Sequence, residues 1–463
     1  MPDTIELLAA AGIARGDAAR LASPAAPGGD LDQDWSALRS YLAAASEVLS
    51  ALPRKPRRSP AEQRAAAALL GDGRGLREAF ARRHASAVYD RLTRGRTRLL
   101  RMGELAATAA AEFPGLVPTA AQLAAEREFP QKDKDGLEID QGLLLAHVLA
   151  DRLRGLHLLH AMAQPRPDAR ERLDAFRATD RLDLPSMSLA RDGRLGRITF
   201  HHQAWLNAED EEYQDALETL VDVLLLDDRI GVGVLRGAPM TKAKYAGRRV
   251  FGAGINLTQL YHGRIGLVRF MLERETGPLA KIHRGLARPE FDPGEVEERI
   301  EKPFIAAVDA FAIGGHCQML LVMDCVLAQR GSYFNLPARK EGIIPGVANL
   351  RLPRFVGERA TRQGIFFNRD FAADSPEGLR ICDRVVGGEE EMEAAIASAA
   401  AEIVSAGVTS LVANRRAVRT GAEPLEDFRR YMAVYAREQA YCLYSDALID
   451  NLVRNWNAHQ RKV

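Results

Sequence analysis

The chain has 463 residues, 47% of them hydrophobic and 27% charged, and its formal net charge is +1. Such a length is too great for one ordinary core, so two domains, or one with a large helical extension, are expected. So balanced a charge gives no global field toward nucleic acid or an anionic membrane; neither is expected as a partner, and an anionic ligand must be met by a local cluster. Cys317, Cys325, Cys382 and Cys442 form no CxxC pair and no disulfide framework, which suits a reducing cytoplasm. The start, "MPDTIELLAAAGIARGD", lacks the charged-then-apolar pattern of a signal segment. Apolar runs such as "LVDVLLL" at 220–226 fall far short of the roughly 20 residues that span a bilayer. A cytoplasmic protein is expected.

Residues 1–190 read as a helical N-terminal domain. "SPAEQRAAAALL" has Ser59 as N-cap, Pro60 at the first helical position and Glu62 closing a capping box. "TAAQLAAEREF" repeats the device with Thr119 and Gln122, and "LLLAHVLADRLRGLHLLHAM" at 143–162 predicts one strong helix. The basic run "RKPRRS" from Arg54 reads as a solvated linker. The stretch 163–194, polar and carrying Pro165, Pro167 and Pro185, reads as the passage between domains.

Beyond it the texture changes. "GRITFHH", "RIGVGVLRG", "KPFIAAVDAFAIGG" and "CVLAQRGSYFNLP" each hold a short strand, with helical segments between most of them. Strand then helix, repeated, predicts an α/β layered core over 191–386. Residues 387–463 read as a C-terminal helical region serving oligomerisation and closure of the site.

Two glycine loops carry the candidate chemistry. "AFAIGGHCQM" puts Gly314 and Gly315 between a strand and a helix, and "RRVFGAGINLTQL" puts Gly252 and Gly254 before another helix-like run. A plain tight turn explains either loop alone. Together they could present two backbone N–H groups to one oxygen, and one good donor to a developing oxyanion is worth roughly 3 kcal/mol. No GxGxxG opens a βαβ unit for a flavin or nicotinamide. No His and carboxylate spacing suggests an iron site, at His201 and His202 included; the helical His157 and His160 read as simple surface or core residues. Cys317 has no evident base partner to make it a nucleophile. His316 lies within the glycine motif, where a ligand-facing role and simple packing are both open.

In order and spacing, "ITFHHQAWLNAEDEEYQDAL", "RRVFGAGINL", "KPFIAAVDAFAIGGHCQMLLVMDC" and "LPARKEGIIPG" resemble the crotonase (enoyl-CoA hydratase/isomerase) superfamily over roughly 195–463. The resemblance implies a ββα-spiral fold, a coenzyme A thioester as substrate, and an oxyanion hole built from the N–H groups of Ile255 and Gly315. Hydratases of this superfamily place one acid three residues after the second hole glycine and another directly after the proline of the last block. Gln318 and Ala338 stand at those positions, and neither an amide nor a methyl can move the protons of water addition.

A hole without those acids can still hold an enolate, provided the substrate carbon is already acidic. One branch of the superfamily, marked by a long helical N-terminal extension, uses this on an arylacetyl-CoA thioester with O2 and no metal or flavin; the whole chain is similar to that branch. The resemblance then gives Glu209 and Gln318 to the ring hydroxyls and Arg274 as a polar neighbour of the substrate. It gives Leu257 and Ile343 to an oxygen pocket, and implies a homo-oligomer, a trimer or hexamer. For each, a bland alternative stays open: a helix-start carboxylate for Glu209, a solvated charge for Arg274, core packing for Leu257 and Ile343. Lys242, Lys244, Arg248 and Arg249, just before the first hole loop, could meet coenzyme A phosphates. The rival functions are a conventional acyl-CoA isomerase, hydratase or thioesterase using Glu209 or Glu341, and a non-catalytic acyl-CoA-binding scaffold.

Overall fold

The computed structural model describes residues 4–14, 16, 21, 28–291, 299–405 and 407–461. After the short helix Thr4–Ala10, the long helices Leu31–Ala51 and Pro60–Leu92 begin the body of the helical extension, and both capping boxes form, Ser59 with Glu62 and Thr119 with Gln122. Their cost if lost would be of order 1 kcal/mol each.

The extension departs from its sequence pattern in three places. The stretch 143–162 is two helices, Glu138–Ala150 and Arg152–Met162; Asp151 between them is extended (φ −71°, ψ 127°) and its carboxylate accepts the Arg154 N–H as an N-cap. The stretch 163–194 is no open passage. It holds the helix Pro167–Thr179 and the strands Arg181–Asp183 and Met187–Asp192, so strand structure begins before residue 190. Pro167 suits the first helical turn, where its missing N–H costs nothing, and Ala169 and Phe176 are buried in the core of the sheet region. The run from Arg54 is solvated only in part: Arg54 and Arg57 are exposed, whereas Arg58 makes a two-pronged pair with Asp135 (2.6 and 2.8 Å), and the Lys55 Nζ donates to the Lys134 carbonyl at 2.7 Å.

A seven-stranded sheet follows the order Arg181–Asp183, Met187–Asp192, Leu195–Phe200, Val232–Gly237, Phe304–Val308, Cys325–Gln329, Arg384–Val386. The first three strands are antiparallel and the rest run parallel. Val232–Gly237 and Phe304–Val308 are buried throughout, as parallel strands covered on both faces must be. One face packs on Leu220, Val221 and Leu224 of helix Glu211–Leu226. The other packs on Met392, Ala395, Ile396 and Ala400 of helix Glu389–Ser405. A smaller sheet joins Phe371–Ala372, Tyr333–Asn335 and Phe311–Ile313.

The helical extension does not stand apart. Leu143, Leu144 and Leu149 share one apolar core with Ile255, Leu257, Leu260 and Leu272, and with Phe428, Met432 and Tyr435 of helix Leu425–Leu443. The loop that carries Ile255 is therefore backed by helices from both ends of the chain. Among the described residues no single helix is long and apolar enough to cross a membrane.

Candidate active site

The two glycine loops lie side by side. A parallel bridge joins Gly252 to Ala312, with the Ile313 N–H donating to the Gly252 carbonyl at 3.0 Å. Gly314 takes φ +55°, ψ −121°, a conformation that side-chain-bearing residues avoid. Its N–H is anchored on the Asn335 carbonyl at 2.8 Å, and a Cβ there would sit 3.2 Å from the Gly254 Cα and 3.9 Å from the Ile255 nitrogen. Ile255 bridges to Glu209, yet the bonds run from the Glu209 N–H to the Gly254 carbonyl and from the Asn256 N–H to the Glu209 carbonyl, each 2.7 Å. The Ile255 N–H is left off that ladder. Gly315 opens the helix Gly315–Leu320, where an N–H has no acceptor within the helix.

A buried ion cluster braces the second loop. Arg274 and Glu209 are 5% and 2% exposed. The Arg274 guanidinium grips both Glu209 oxygens, the Nη2–Oε1 contact being 2.9 Å. It also donates to Glu275 Oε1 at 2.7 Å, to Gln318 Oε1 at 3.0 Å and to the Gly315 carbonyl at 2.7 Å. Burial works against a charged Glu209, but Arg274 and then His316 outweigh it and hold the carboxyl below its ordinary range. Burial works against Arg274 too, and its carboxylate partners overcome it, keeping the guanidinium firmly protonated.

His316 faces away from the cavity. Its ring packs on Phe200 and Phe251, with Nε2 at 3.0 Å from the Tyr213 hydroxyl and Nδ1 at 3.2 Å from Glu209 Oε1. Burial pushes the imidazole down to about 4, so it is neutral and buttresses Glu209. Cys317 is buried, and burial lifts its thiol to about 12, which leaves no thiolate for nucleophilic work.

Two cavities meet at the loops. A small inner one, about 30 Å³, is lined by Ile255, Gly315, Arg274, Glu275, Gln318 and Tyr435 among others. A larger one, about 390 Å³, is lined by Ile255, Leu257, Tyr245, Phe311, Lys242, Lys340 and Arg461 among others, a size typical of ligand clefts. Among the described residues no group of three or more His, Cys, Asp or Glu side chains is placed to hold a metal ion.

Residues 290–440 match the family model for enoyl-CoA hydratase/isomerase. The chain is 46% identical over 416 residues to the (3,5-dihydroxyphenyl)acetyl-CoA 1,2-dioxygenase of Amycolatopsis orientalis, covering 90% of this chain and 94% of that one. It is 26% identical over 244 residues to the short-chain-enoyl-CoA hydratase of Clostridium acetobutylicum, 52% of this chain and 84% of that one. A crystal structure of an enoyl-CoA hydratase from Mycobacterium avium subsp. paratuberculosis K-10 aligns over 58% of this chain and 98% of its own, at 17% identity and TM-score 0.48. The chain belongs to the enoyl-CoA hydratase/isomerase (crotonase) family.

Within that family site, Gln318 and Ala338 both line the inner cavity. Gln318 is bound to Arg274 rather than free to shuttle a proton. Arg274 itself is no solvated charge but the centre of the cluster. The two residues expected at an oxygen pocket separate: Ile343 lines the inner cavity and Leu257 the larger one. The basic group before the first loop also divides. Lys242 lines the large cavity, whereas Lys244 stands 5.3 Å over the Tyr245 ring. Arg248 and Arg249 line a separate hollow with Asp309 and Arg330, and Arg249 pairs with Glu389 at 2.9 Å.

Sequence reasoning passed over Glu275, Tyr435, Lys340 and Arg461. Glu275 follows a π-helical segment, Leu267–Leu272, a wider turn often found beside functional sites. The "ERE" triplet at 273–275 was its one local signal. Tyr435 and Arg461 arrive from the far C-terminal region, and nothing near them in sequence marks them.

Proposed function

We propose that this chain is a metal- and flavin-independent dioxygenase that converts (3,5-dihydroxyphenyl)acetyl-CoA and O2 to 3,5-dihydroxyphenylglyoxylate and free coenzyme A. On this reading the step belongs to dihydroxyphenylglycine formation for glycopeptide antibiotics. The observation that carries the reading is the 46% identity spanning nearly all of both chains, together with two converging loops that lack the hydratase acids.

The chemistry follows from that combination. The thioester carbonyl sits at the Ile255 and Gly315 N–H groups, and loss of a benzylic proton gives an enolate whose charge the hole holds. Delocalised into ring and carbonyl, this enolate passes one electron to O2, and the radical pair joins as a peroxide at the α-carbon. The peroxide attacks the thioester carbonyl and expels the thiolate; the four-membered ring opens with O–O cleavage to the 2-oxo acid. Gln318, Glu209 and Arg274 face the ring, and Ile343 adds apolar wall for oxygen. Lys242, Lys340 and Arg461 are placed to meet coenzyme A phosphates by charge-assisted bonds. The inner cavity of about 30 Å³ is smaller than the roughly 150 Å³ that takes a benzene. Ring entry therefore moves lining side chains, and Met271, flexible and on that wall, is the readiest to yield.

The protein acts in the cytoplasm as a homo-oligomer, its N-terminal helices extending the assembly. With chelator-treated protein and the arylacetyl thioester, one O2 is expected to vanish per thiol released, measured by oxygen electrode and thiol titration. Thiol release without oxygen uptake refutes the reading in favour of a thioesterase, and turnover restored only by added iron refutes the metal-free part. Gln318→Ala is expected to lower kcat/KM for this substrate at least 10-fold; unchanged kinetics would remove Gln318 from the site.

A further inference from the structure

The proposed reaction begins by removing a proton from the α-carbon, and both positions where hydratases of the family keep an acid are filled by groups that cannot accept one. Ala338 holds the second of those positions, yet the chain regains a carboxylate one turn later. Ala338 and Glu341 are the first and last residues of the single-turn helix Ala338–Glu341. Residues three apart share a helix face, and both line the inner cavity.

Glu341 has a second distinguishing property. Among the described residues, Ile255 and Glu341 are the two that line both cavities, so they mark the throat between them. On the proposed reading the coenzyme A arm occupies the large cavity and the aryl group the inner one. The thioester carbonyl then lies in the throat, against the Ile255 N–H, with its α-carbon one bond further in. A side chain that borders both cavities at that throat is placed at the α-carbon.

The other two carboxylates of the inner cavity are committed: Glu209 and Glu275 both bind Arg274. Among the described residues no hydrogen bond or ion pair reaches the Glu341 carboxylate. The charged groups around it are Arg274, Glu209 and Glu275 in the inner cavity, and Lys242, Lys340, Asp370 and Arg461 in the outer. Helix Asp446–Trp456, packed against its helix, brings neutral Asn451, Asn455 and Trp456 to the outer cavity. Burial pushes the Glu341 carboxyl up to about 7, against the weaker pull of Lys340, a value suited to a base working near neutral pH.

We propose that Glu341, which rests on the throat geometry and on the acyl-CoA reading above, is the catalytic base that takes the α-proton. The C–H bond breaks, its electron pair forms the enolate C=C, and the carbonyl π pair moves onto the oxygen held by the hole. The proton forms an O–H bond on Glu341. When the thioester C–S bond later breaks, that proton passes to the departing thiolate, giving the free thiol and the ionised carboxylate again. The second α-hydrogen leaves as a proton to solvent as the O–O bond opens.

The test is exchange of the substrate α-hydrogens with D2O under strict anaerobiosis, followed by NMR on (3,5-dihydroxyphenyl)acetyl-CoA with the uncatalysed background subtracted. The wild-type chain is expected to catalyse exchange at a rate that rises with pH through about 7, since only the ionised carboxylate accepts a proton. Glu341→Gln should slow exchange at least 100-fold, abolish that rising limb and leave thioester affinity and thermal midpoint unchanged, while Glu341→Asp recovers part of the rate. Exchange by Glu341→Gln at the wild-type rate, or none by the wild-type chain, overturns the assignment. Wild-type exchange lost in Glu341→Gln, but with no oxygen uptake in air, supports the base and refutes only the dioxygenase reading.

Discussion

Gly315→Ala is expected to lower kcat/KM at least 100-fold and to destabilise the fold. A Cβ at this position would stand 2.4 Å from Glu209 Oε1 and 2.6 Å from Arg274 Nη2, well inside contact distance. Those atoms are side-chain ends, but they cannot swing away, because each is locked in the buried cluster. Either the ion pair opens or the first turn of Gly315–Leu320 shifts, and the second course moves the N–H that faces the carbonyl. Loss of one such donor costs roughly 3 kcal/mol of transition-state stabilisation. The control is Gly75→Ala within the helix Pro60–Leu92, where a Cβ meets nothing within 4 Å; it should raise stability by up to about 1 kcal/mol and leave the kinetics alone. Steady-state kinetics and thermal melts on the pair check this. Near-wild-type turnover in Gly315→Ala would remove the hole from its place in the argument for function.

Arg274→Met should cost about 3–5 kcal/mol of folding stability, because it leaves two carboxylates in the interior without their cation. That is a large share of the roughly 5–15 kcal/mol a domain possesses. The sign of its pH dependence is diagnostic. In the wild-type chain Glu209 is held below its ordinary range, so its contribution is present above the unfolded pKa and is lost as pH falls through the folded one. Without Arg274, burial dominates and lifts the Glu209 pKa above the unfolded value; the penalty is then small at low pH and grows as pH rises. Urea unfolding at pH 5 and pH 8 should therefore show a wider gap between wild type and variant at pH 8. An equal gap at both would mean that Arg274 stabilises by packing alone.

Parts of this were legible in the sequence for local reasons. Ser59 with Glu62, and Thr119 with Gln122, announce helix starts because capping is settled within four residues. The glycines at 314–315 stand out because a backbone turn with positive φ admits few other residues. The absence of acids at 318 and 338 is legible only against the pattern of the superfamily that the chain resembles. The failures were also physical. Asp151 was passed over inside an apolar helical pattern because its extended backbone and cap are invisible to periodicity. The proline-rich stretch 163–194 looked like a linker because the buried face of its helix, Ala169 and Phe176, is thin and its partner helix Glu211–Leu226 comes later. Arg248 and Arg249 could not be told from Lys242, because which way a loop cation points is decided by a neighbour such as Glu389, far along the chain.

By itself the sequence determined the layered α/β core with helices before and after it and the pair of glycine turns, both set by short-range spacing and residue type; the missing hydration acids were visible only through the resemblance to the superfamily. Only the tertiary structure decided which charges are spent and which are available. Arg274 reaches Glu209 across 65 positions and Gly315 across 41, and Glu341 borders both cavities with no ion pair reaching its carboxylate among the described residues. Ion pairing and burial are properties of the space around a side chain, filled by distant segments, and no local pattern of residues encodes that space.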